Sequence, residues 1–202
     1  MKKIIKNNPK VALITGASRR IGSVITRNLS TYGYKVIIHY NKSKKEALQL
    51  SLDLNKEKVN SKAIQADLSI ESEVKELFYQ AQSTFGTIHC IINNASEFKY
   101  DNISTITSKS WKEHIEPNLR APIILAKELR RNLQSKEVGN IINIIDQRVL
   151  NLTPHFLSYT LSKSALWTLT KTLALSMAPY IRVNAIGPGP TLKSNFQTKK
   201  EF

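Results

Sequence analysis

Val11-Ala12-Leu13-Ile14-Thr15-Gly16-Ala17-Ser18-Arg19-Arg20-Ile21-Gly22 decides the fold of this chain. Four apolar residues form a short buried strand. A glycine-bearing turn follows, and an amphipathic pattern opens at Ile21 and runs to Thr31. Glycine allows a tight turn and close backbone approach, while a helix start offers unpaired N–H groups to a phosphate. A lone glycine loop is weak evidence, but strand, turn and helix in succession is the context a dinucleotide site requires. The spacing is not that of the common fingerprint, and Arg20 stands where a middle glycine often sits.

The same alternation continues along the chain. Further apolar runs are Val36–His39, Ala63–Ala66, Ile88–Ile92, Asn140–Ile145 and Ile181–Ile186. Helical patterns lie between them at Lys44–Asn55, Ser72–Phe85, Ser108–Leu133 and Thr153–Ala178. Strands without strict alternation are buried on both faces, which predicts a parallel sheet between two helix layers. Right-handed crossovers then favour a Rossmann-type, doubly wound α/β order in three layers (α/β/α). With no linker or repeat, residues 1–202 read as a single domain. Ligand chemistry belongs at the carboxyl edge of such a sheet.

Composition narrows the class. Hydrophobic residues make up 41% of the chain, enough for a packed core. No run approaches the roughly 20 apolar residues of a membrane-spanning helix. Lys2, Lys3 and Lys6 imitate a signal peptide, but only four apolar residues, Val11–Ile14, follow, without a cleavage site. A cytoplasmic protein is expected, in keeping with a single cysteine, Cys90. The formal charge of +15 invites nucleic acid, anionic lipid or a phosphorylated cofactor. Its lysines are scattered and not interleaved with aromatics, so overuse of Lys, Asn and Ile explains the charge and no nucleic-acid partner is expected.

The cofactor's flavour is read after the second strand. An NAD site usually places an acid there for the ribose 2′-hydroxyl. Here the segment is His39-Tyr40-Asn41-Lys42-Ser43, with Arg19 in the preceding loop. Cationic and hydroxyl donors in place of a carboxylate favour the 2′-phosphate of NADP(H). Lys42 and Ser43 could also simply cap the next helix. Tyr159 and Lys163, at i and i+4, share a helix face. A free phenol has a pKa of about 10, and a neighbouring ammonium lowers it toward the range of a general acid–base catalyst.

These motifs resemble, in order, those of the short-chain dehydrogenase/reductase family: the glycine loop, Asn93-Asn94-Ala95, Asn118, the Tyr159/Lys163 pair and Pro188-Gly189. The resemblance covers residues 9 to about 195. It implies an NADP(H) cleft lined by Gly16, Ser18, Arg19, Arg20, Ile21, Gly22, His39, Tyr40, Asn41 and Ser43. Asp67 and Leu68 would flank the adenine; Asn94, Ala95, Ser96, Tyr159, Lys163, Pro188 and Gly189 would complete the cleft. Lys163 would bond the nicotinamide ribose, and Asn118 would hold a proton-relay water through a helix distortion. The usual catalytic serine, thirteen residues before the tyrosine, is replaced by Asp146. An aspartate cannot polarise a carbonyl unless protonated, but it accepts hydrogen bonds from an amino group or ring N–H.

That replacement resembles the pteridine reductase branch and its bacterial dihydromonapterin and dihydrofolate reductase relatives. Arg20, His39–Ser43 and Asn93-Asn94-Ala95-Ser96-Glu97-Phe98 are similar to the segments of that branch. The resemblance implies a pterin-like small-molecule substrate touched by Arg20, Ser96, Phe98, Asp146 and Tyr159, with Phe98 stacked on its ring. Asp146, Tyr159, Lys163 and Asn118 would be the catalytic group. It also implies a homo-oligomer, a tetramer in the family, and further chain beyond Phe202 carrying a last strand absent here. A carbonyl or 3-oxoacyl reductase of the same family, and a shortened, non-catalytic NADP-binding relative, are the competing expectations.

Overall fold

The structure, a computed structural model, describes residues 9–133 and 137–192. The lysines at 2, 3 and 6 and the chain from 193 onward lie outside the described residues. Six strands form one parallel sheet: β1 (Val11–Ile14), β2 (Lys35–Tyr40), β3 (Ser61–Gln65), β4 (Ile88–Asn93), β5 (Gly139–Ile144) and β6 (Ile181–Ile186). Their spatial order is β3-β2-β1-β4-β5-β6. The chain therefore reverses direction across the sheet between β1 and β4, which opens a crevice at their carboxyl ends. Between the strands run α1 (Arg20–Thr31), α2 (Lys44–Leu54), α3 (Glu71–Phe85), α4 (Ser108–Ile115), α5 (Ala121–Asn132) and α6 (Leu157–Met177).

Period-two alternation splits the core into two layers. Leu13 pairs in register with Ile37 and Ile91, and Ile91 with Ile141. This row packs against Val74, Leu77 and Phe78 of α3 and Leu125 and Leu129 of α5. Ala12, Ile14, Val36 and Ile38 face the opposite layer, with Ala47 and Leu50 of α2 and Ile25 and Leu29 of α1. Both faces are covered, which is why the strand segments read as continuous apolar runs.

One expected helix, Ser108–Leu133, is in fact two. A π-helical turn, Glu116–Arg120, separates α4 from α5. Pro117 lies inside that turn and Pro122 just past it. Each lacks the N–H that would close the i to i−4 ladder, and the chain widens to accommodate them. Asn118 sits in the distortion. The expected helix from Thr153 begins instead at Leu157. The N–H groups of Phe156 and Leu157 donate to the Asp101 carbonyl, which holds the chain outside the helix until then.

Candidate active site at the carboxyl edge of the sheet

The glycine loop is shaped by close approach. Gly16 has φ +60°, and a Cβ there would lie 2.9 Å from the Ala95 Cα. A Cβ on Gly22 would lie 2.2 Å from the Gly16 carbonyl oxygen and 2.7 Å from Asn94 Nδ2. Only glycine fits either position. Arg20, which replaces a glycine, has φ +51°, in the left-handed region that side chains disfavour. It opens α1, and its guanidinium donates to the Leu192 carbonyl in the loop after β6, at 3.3 Å. The loop's cradle and its open helix start suit a diphosphate.

Asn94 is spent on that loop: Nδ2 donates to the Thr15 and Gly16 carbonyls at 2.9 and 3.0 Å. Thr15 Oγ1 accepts from the N–H groups of Asn94 and Ala95, both at 3.0 Å. Thr15 was not singled out from the sequence; its partners are about eighty residues away, where no local pattern reaches.

His39 departs from expectation. It is 2% exposed, and both ring nitrogens are bound to backbone. Nδ1 accepts from Gly16 N–H and Nε2 faces the Ala66 carbonyl, both at 3.0 Å. Since the Gly16 amide must donate, the ring is the Nε2-protonated tautomer. Burial lowers its pKa to about 4, against smaller opposing contributions from the Ala66 hydrogen bond and Asp67. It fixes the glycine loop to the ends of β2 and β3 and does not face the cleft. Tyr40 and Leu68 are also buried, at 8% and 6% exposure.

At the carboxyl ends of β2 and β3, Asn41 is exposed and Ser43 and Asp67 are half-buried. Ser43 occupies the N-cap of α2 but its hydroxyl makes no cap bond, so helix capping does not consume it. Arg19 and Glu46 are 3.8 Å apart, a loose exposed pair. Such pairs contribute little, so the guanidinium can turn to a phosphate. No acid follows β2 before Glu46, and the residues present fit NADP(H) on this charge pattern. Ser18 in the loop and Ile21 at the start of α1 are half-buried, as is Pro188 after β6, while Gly189 is exposed there.

The reacting groups converge beside β5. Tyr159 Oη donates to Asp146 Oδ2 at 2.6 Å. Asp146 Oδ1 accepts from Arg148 N–H at 2.9 Å, so the carboxylate also starts the short helical turn Gln147–Val149. Lys163 Nζ donates to the Ile144 carbonyl at 2.8 Å and lies 5.8 Å from the Tyr159 ring centroid. Burial lowers the Lys163 pKa to about 8, with Asp146 opposing.

The expected lowering of the Tyr159 pKa is not what this site displays. Burial pushes the phenol well above its usual range, and the charge and hydrogen bond of Asp146 push it further. Arg148 and a hydrogen bond with Ser96 pull the other way. The ammonium is buried and turned to a backbone carbonyl, while the carboxylate holds the phenolic proton directly.

Phe98 lies against this centre, edge-on to Tyr159 at 4.6 Å between centroids and stacked on Phe156 at 4.4 Å. Arg148 sits 4.8 Å over the Phe156 ring. Phe156 itself has φ +58°. Asn118 Oδ1 accepts from Glu97 N–H at 2.8 Å, and Nδ2 donates to the Glu97 carbonyl and Ser162 Oγ, both at 3.0 Å. It therefore locks the Phe98 loop to α6.

Behind the tyrosine is a network the sequence did not reveal. Asp101 accepts from both the N–H and the hydroxyl of Ser158. Ser158 Oγ also meets His114 Nδ1 at 2.6 Å, and His114 Nε2 accepts from Lys99 N–H at 3.0 Å. All three side chains are almost fully buried. Burial lowers the His114 pKa, while Asp101, Ser110 and nearby glutamates oppose. Among the described residues no three His, Cys, Asp or Glu side chains form a metal-binding group.

The comparisons with known proteins agree with this geometry. Two solved structures of FolM alternative dihydrofolate reductase 1, from Brucella suis and Brucella canis and both with NADP, superpose with TM-score 0.88. They are 44% and 43% identical to this chain, covering 91% of it and 76% and 75% of their own chains. A short-chain type dehydrogenase/reductase of Picea abies is 31% identical, covering 93% of this chain and 72% of its own length. A 3-oxoacyl-[acyl-carrier-protein] reductase, FabG, of Staphylococcus epidermidis is 33% identical over 89% of this chain and 74% of its own. The family profile described as short chain dehydrogenase matches residues 10–201, spanning both the glycine loop and the tyrosine–lysine helix, and the chain belongs to that family.

Proposed function

We propose that this chain is an NADPH-dependent oxidoreductase that reduces a pterin or dihydrofolate-type substrate at a C=N bond. The observation that carries the reading is the Tyr159–Asp146 pair, 2.6 Å apart, with Phe98 4.6 Å from the tyrosine ring. A ketone needs a hydroxyl donor where Asp146 stands; a ring bearing amino and N–H groups needs an acceptor there. The NADP-bound FolM neighbours support the cofactor and the substrate class.

NADPH, when bound, supplies the hydride; the protein orients and polarises. Phe98 offers a flat apolar surface to the heterocycle. Asp146 accepts from the substrate's amino or ring N–H and so fixes its orientation. Tyr159, held protonated, delivers the proton to the imine nitrogen as the adjacent carbon gains the hydride. Lys163 keeps a positive charge beneath the phenol and favours the phenolate as the proton leaves. Asn118 holds the Phe98 loop at its distance from α6.

The test is NADPH oxidation with dihydrobiopterin, dihydromonapterin, dihydrofolate and a 3-oxoacyl thioester side by side. Turnover of the pterins and not the thioester is expected. Tyr159→Phe should abolish turnover while NADPH still binds, and Asp146→Ser should damage pterin reduction more than cofactor binding. Preferential reduction of the thioester would instead establish the FabG-like reading, and NADPH binding with no turnover a non-catalytic relative.

Homo-oligomerisation belongs to the same proposal. The α4 and α6 faces expose Trp111, Leu161 and Leu175, at 41%, 44% and 84%. Among the described residues no helix is long and apolar enough to cross a membrane. A cytoplasmic setting completes the proposal.

A further inference from the structure

Arg148 is a half-buried guanidinium beside the reacting centre, and no carboxylate pairs with it among the described residues. Its backbone N–H bonds Asp146, and Nη1 donates to Thr153 Oγ1 at 2.9 Å. Its Cζ lies over the Phe156 ring, 4.8 Å from the centroid. Phe98 stacks nearly parallel on Phe156, 11° between planes. Arg148 and Phe98 both pack on the Phe156 ring, and Tyr159 meets Phe98 edge to face. A guanidinium packed on Phe156 is set off by Phe156 and Phe98, two rings, from a heterocycle stacked on the far face of Phe98. It is reached by a substituent on the substrate, not by its reacting ring.

The tether restricts what such a group can do. Stacking on Phe156 and the bond from Nη1 leave the other edge of the fork for a ligand. A fixed guanidinium fork matches a carboxylate through two parallel N–H···O bonds, and the ordering entropy has already been lost on folding. Hydroxyl groups on a neutral side chain gain less from it.

We propose that Arg148 selects substrates by charge, favouring reduced pterins whose tail ends in a carboxylate over those with a neutral side chain. The inference rests on the pterin reading above. It deepens that reading by naming the side-chain chemistry and the residue that recognises it.

The experiment compares three substrates under saturating NADPH: dihydrofolate, its dimethyl ester, which keeps the body and removes the charge, and dihydromonapterin. Each is measured with the wild-type protein and with Arg148→Gln and Arg148→Lys. Arg148 also pulls down the Tyr159 pKa, so some loss with Arg148→Gln is common to all three. Loss beyond that common factor reads the tail. We expect dihydrofolate to lose about 10- to 100-fold more kcat/KM than the ester, mostly in KM, from the usual strength of a charged hydrogen bond. Arg148→Lys should restore part of that preference. Turnover of all three substrates with the same proportional loss in Arg148→Gln would overturn the inference and leave the pterin reading standing. Absence of turnover with any of the three in the wild type would overturn both.

Discussion

His39 should make the glycine loop acid-labile. The ring is buried and neutral, with Nδ1 accepting from Gly16 N–H and Nε2–H facing the Ala66 carbonyl. Protonation would put a hydrogen on Nδ1, against the Gly16 donor, and a charge where burial disfavours one. The pKa falls from 6.5 in the open chain to about 4 in the fold, chiefly through burial. Between those values the unfolded chain binds more protons than the folded one, so folding stability rises with pH across that window. The contribution is fully present above pH 6.5 and is lost as pH falls through 4. At roughly 1.4 kcal/mol per pH unit the difference is about 3 kcal/mol, an appreciable share of the 5–15 kcal/mol that holds a typical domain.

Urea unfolding of the wild type and His39→Gln between pH 4 and 7.5 isolates this effect. Carboxylates, His89 and His114 titrate in both proteins, so the difference in slope belongs to residue 39. The wild type should lose about 3 kcal/mol more than the variant on descending through the window. NADPH affinity should fall in step, since the same ring sets the position of Gly16. A direct measurement guards against a poorly folded variant: the His39 ring resonances in the wild type should titrate near 4 and not near 6.5. Equal pH slopes in the two proteins, or a ring that titrates at the open-chain value, would refute the reasoning.

Two further outcomes follow from close contacts. Gly22→Ala places a methyl 2.2 Å from the Gly16 carbonyl oxygen, so the loop must move. Destabilisation of about 1–3 kcal/mol is expected, in the range of overpacked sites, with NADPH binding lost first; calorimetric titration that finds normal affinity would disprove it. Asp101→Ala removes both bonds that Ser158 donates to this carboxylate, leaving a buried N–H without its acceptor and the hydroxyl with only His114 Nδ1. It should cost about 3 kcal/mol and lower kcat more than cofactor affinity, because Ser158 precedes Tyr159. Thermal unfolding and single-turnover kinetics check the two parts separately.

Six strands were legible to within about two residues because the inner ones are short apolar runs covered on both sides and the edge ones, β3 and β6, still alternate apolar with exposed residues. The glycine loop was legible because Gly16, at φ +60°, and Gly22, packed against the Gly16 carbonyl oxygen, have no substitute there. Pro117 and Pro122 were visible too, but a 3.6-residue pattern passes over a single widened turn, so the helix read as continuous from Ser108 to Leu133. Long-range partnership was not legible. Asp101 meets Ser158 across 57 positions and Thr15 meets Asn94 across 79. His39 read as a cofactor residue because its neighbours in sequence are, yet period-two alternation turns it inward between Ile38 and Tyr40.

The raised pKa of Tyr159 suits the proposed direction of reaction. A reductase needs its acid loaded before the hydride moves, and burial with Asp146 keeps the proton on the phenol. An acid so weak would be slow to give the proton up. Two of the three causes, however, are the charge and the hydrogen bond of Asp146. A substrate amino group or ring N–H that bonds Asp146 competes for the oxygen that holds the phenol. It also spreads the carboxylate's charge away from the phenolic oxygen. Substrate binding therefore removes part of what made Tyr159 a poor donor, at the moment the proton is wanted, while buried Lys163 favours the phenolate that remains. A serine at position 146 would exert no such charge. The aspartate thus couples ring recognition to acid strength, and the Tyr159–Lys163 spacing, ordinary in isolation, acquires its chemistry from the carboxylate thirteen residues upstream.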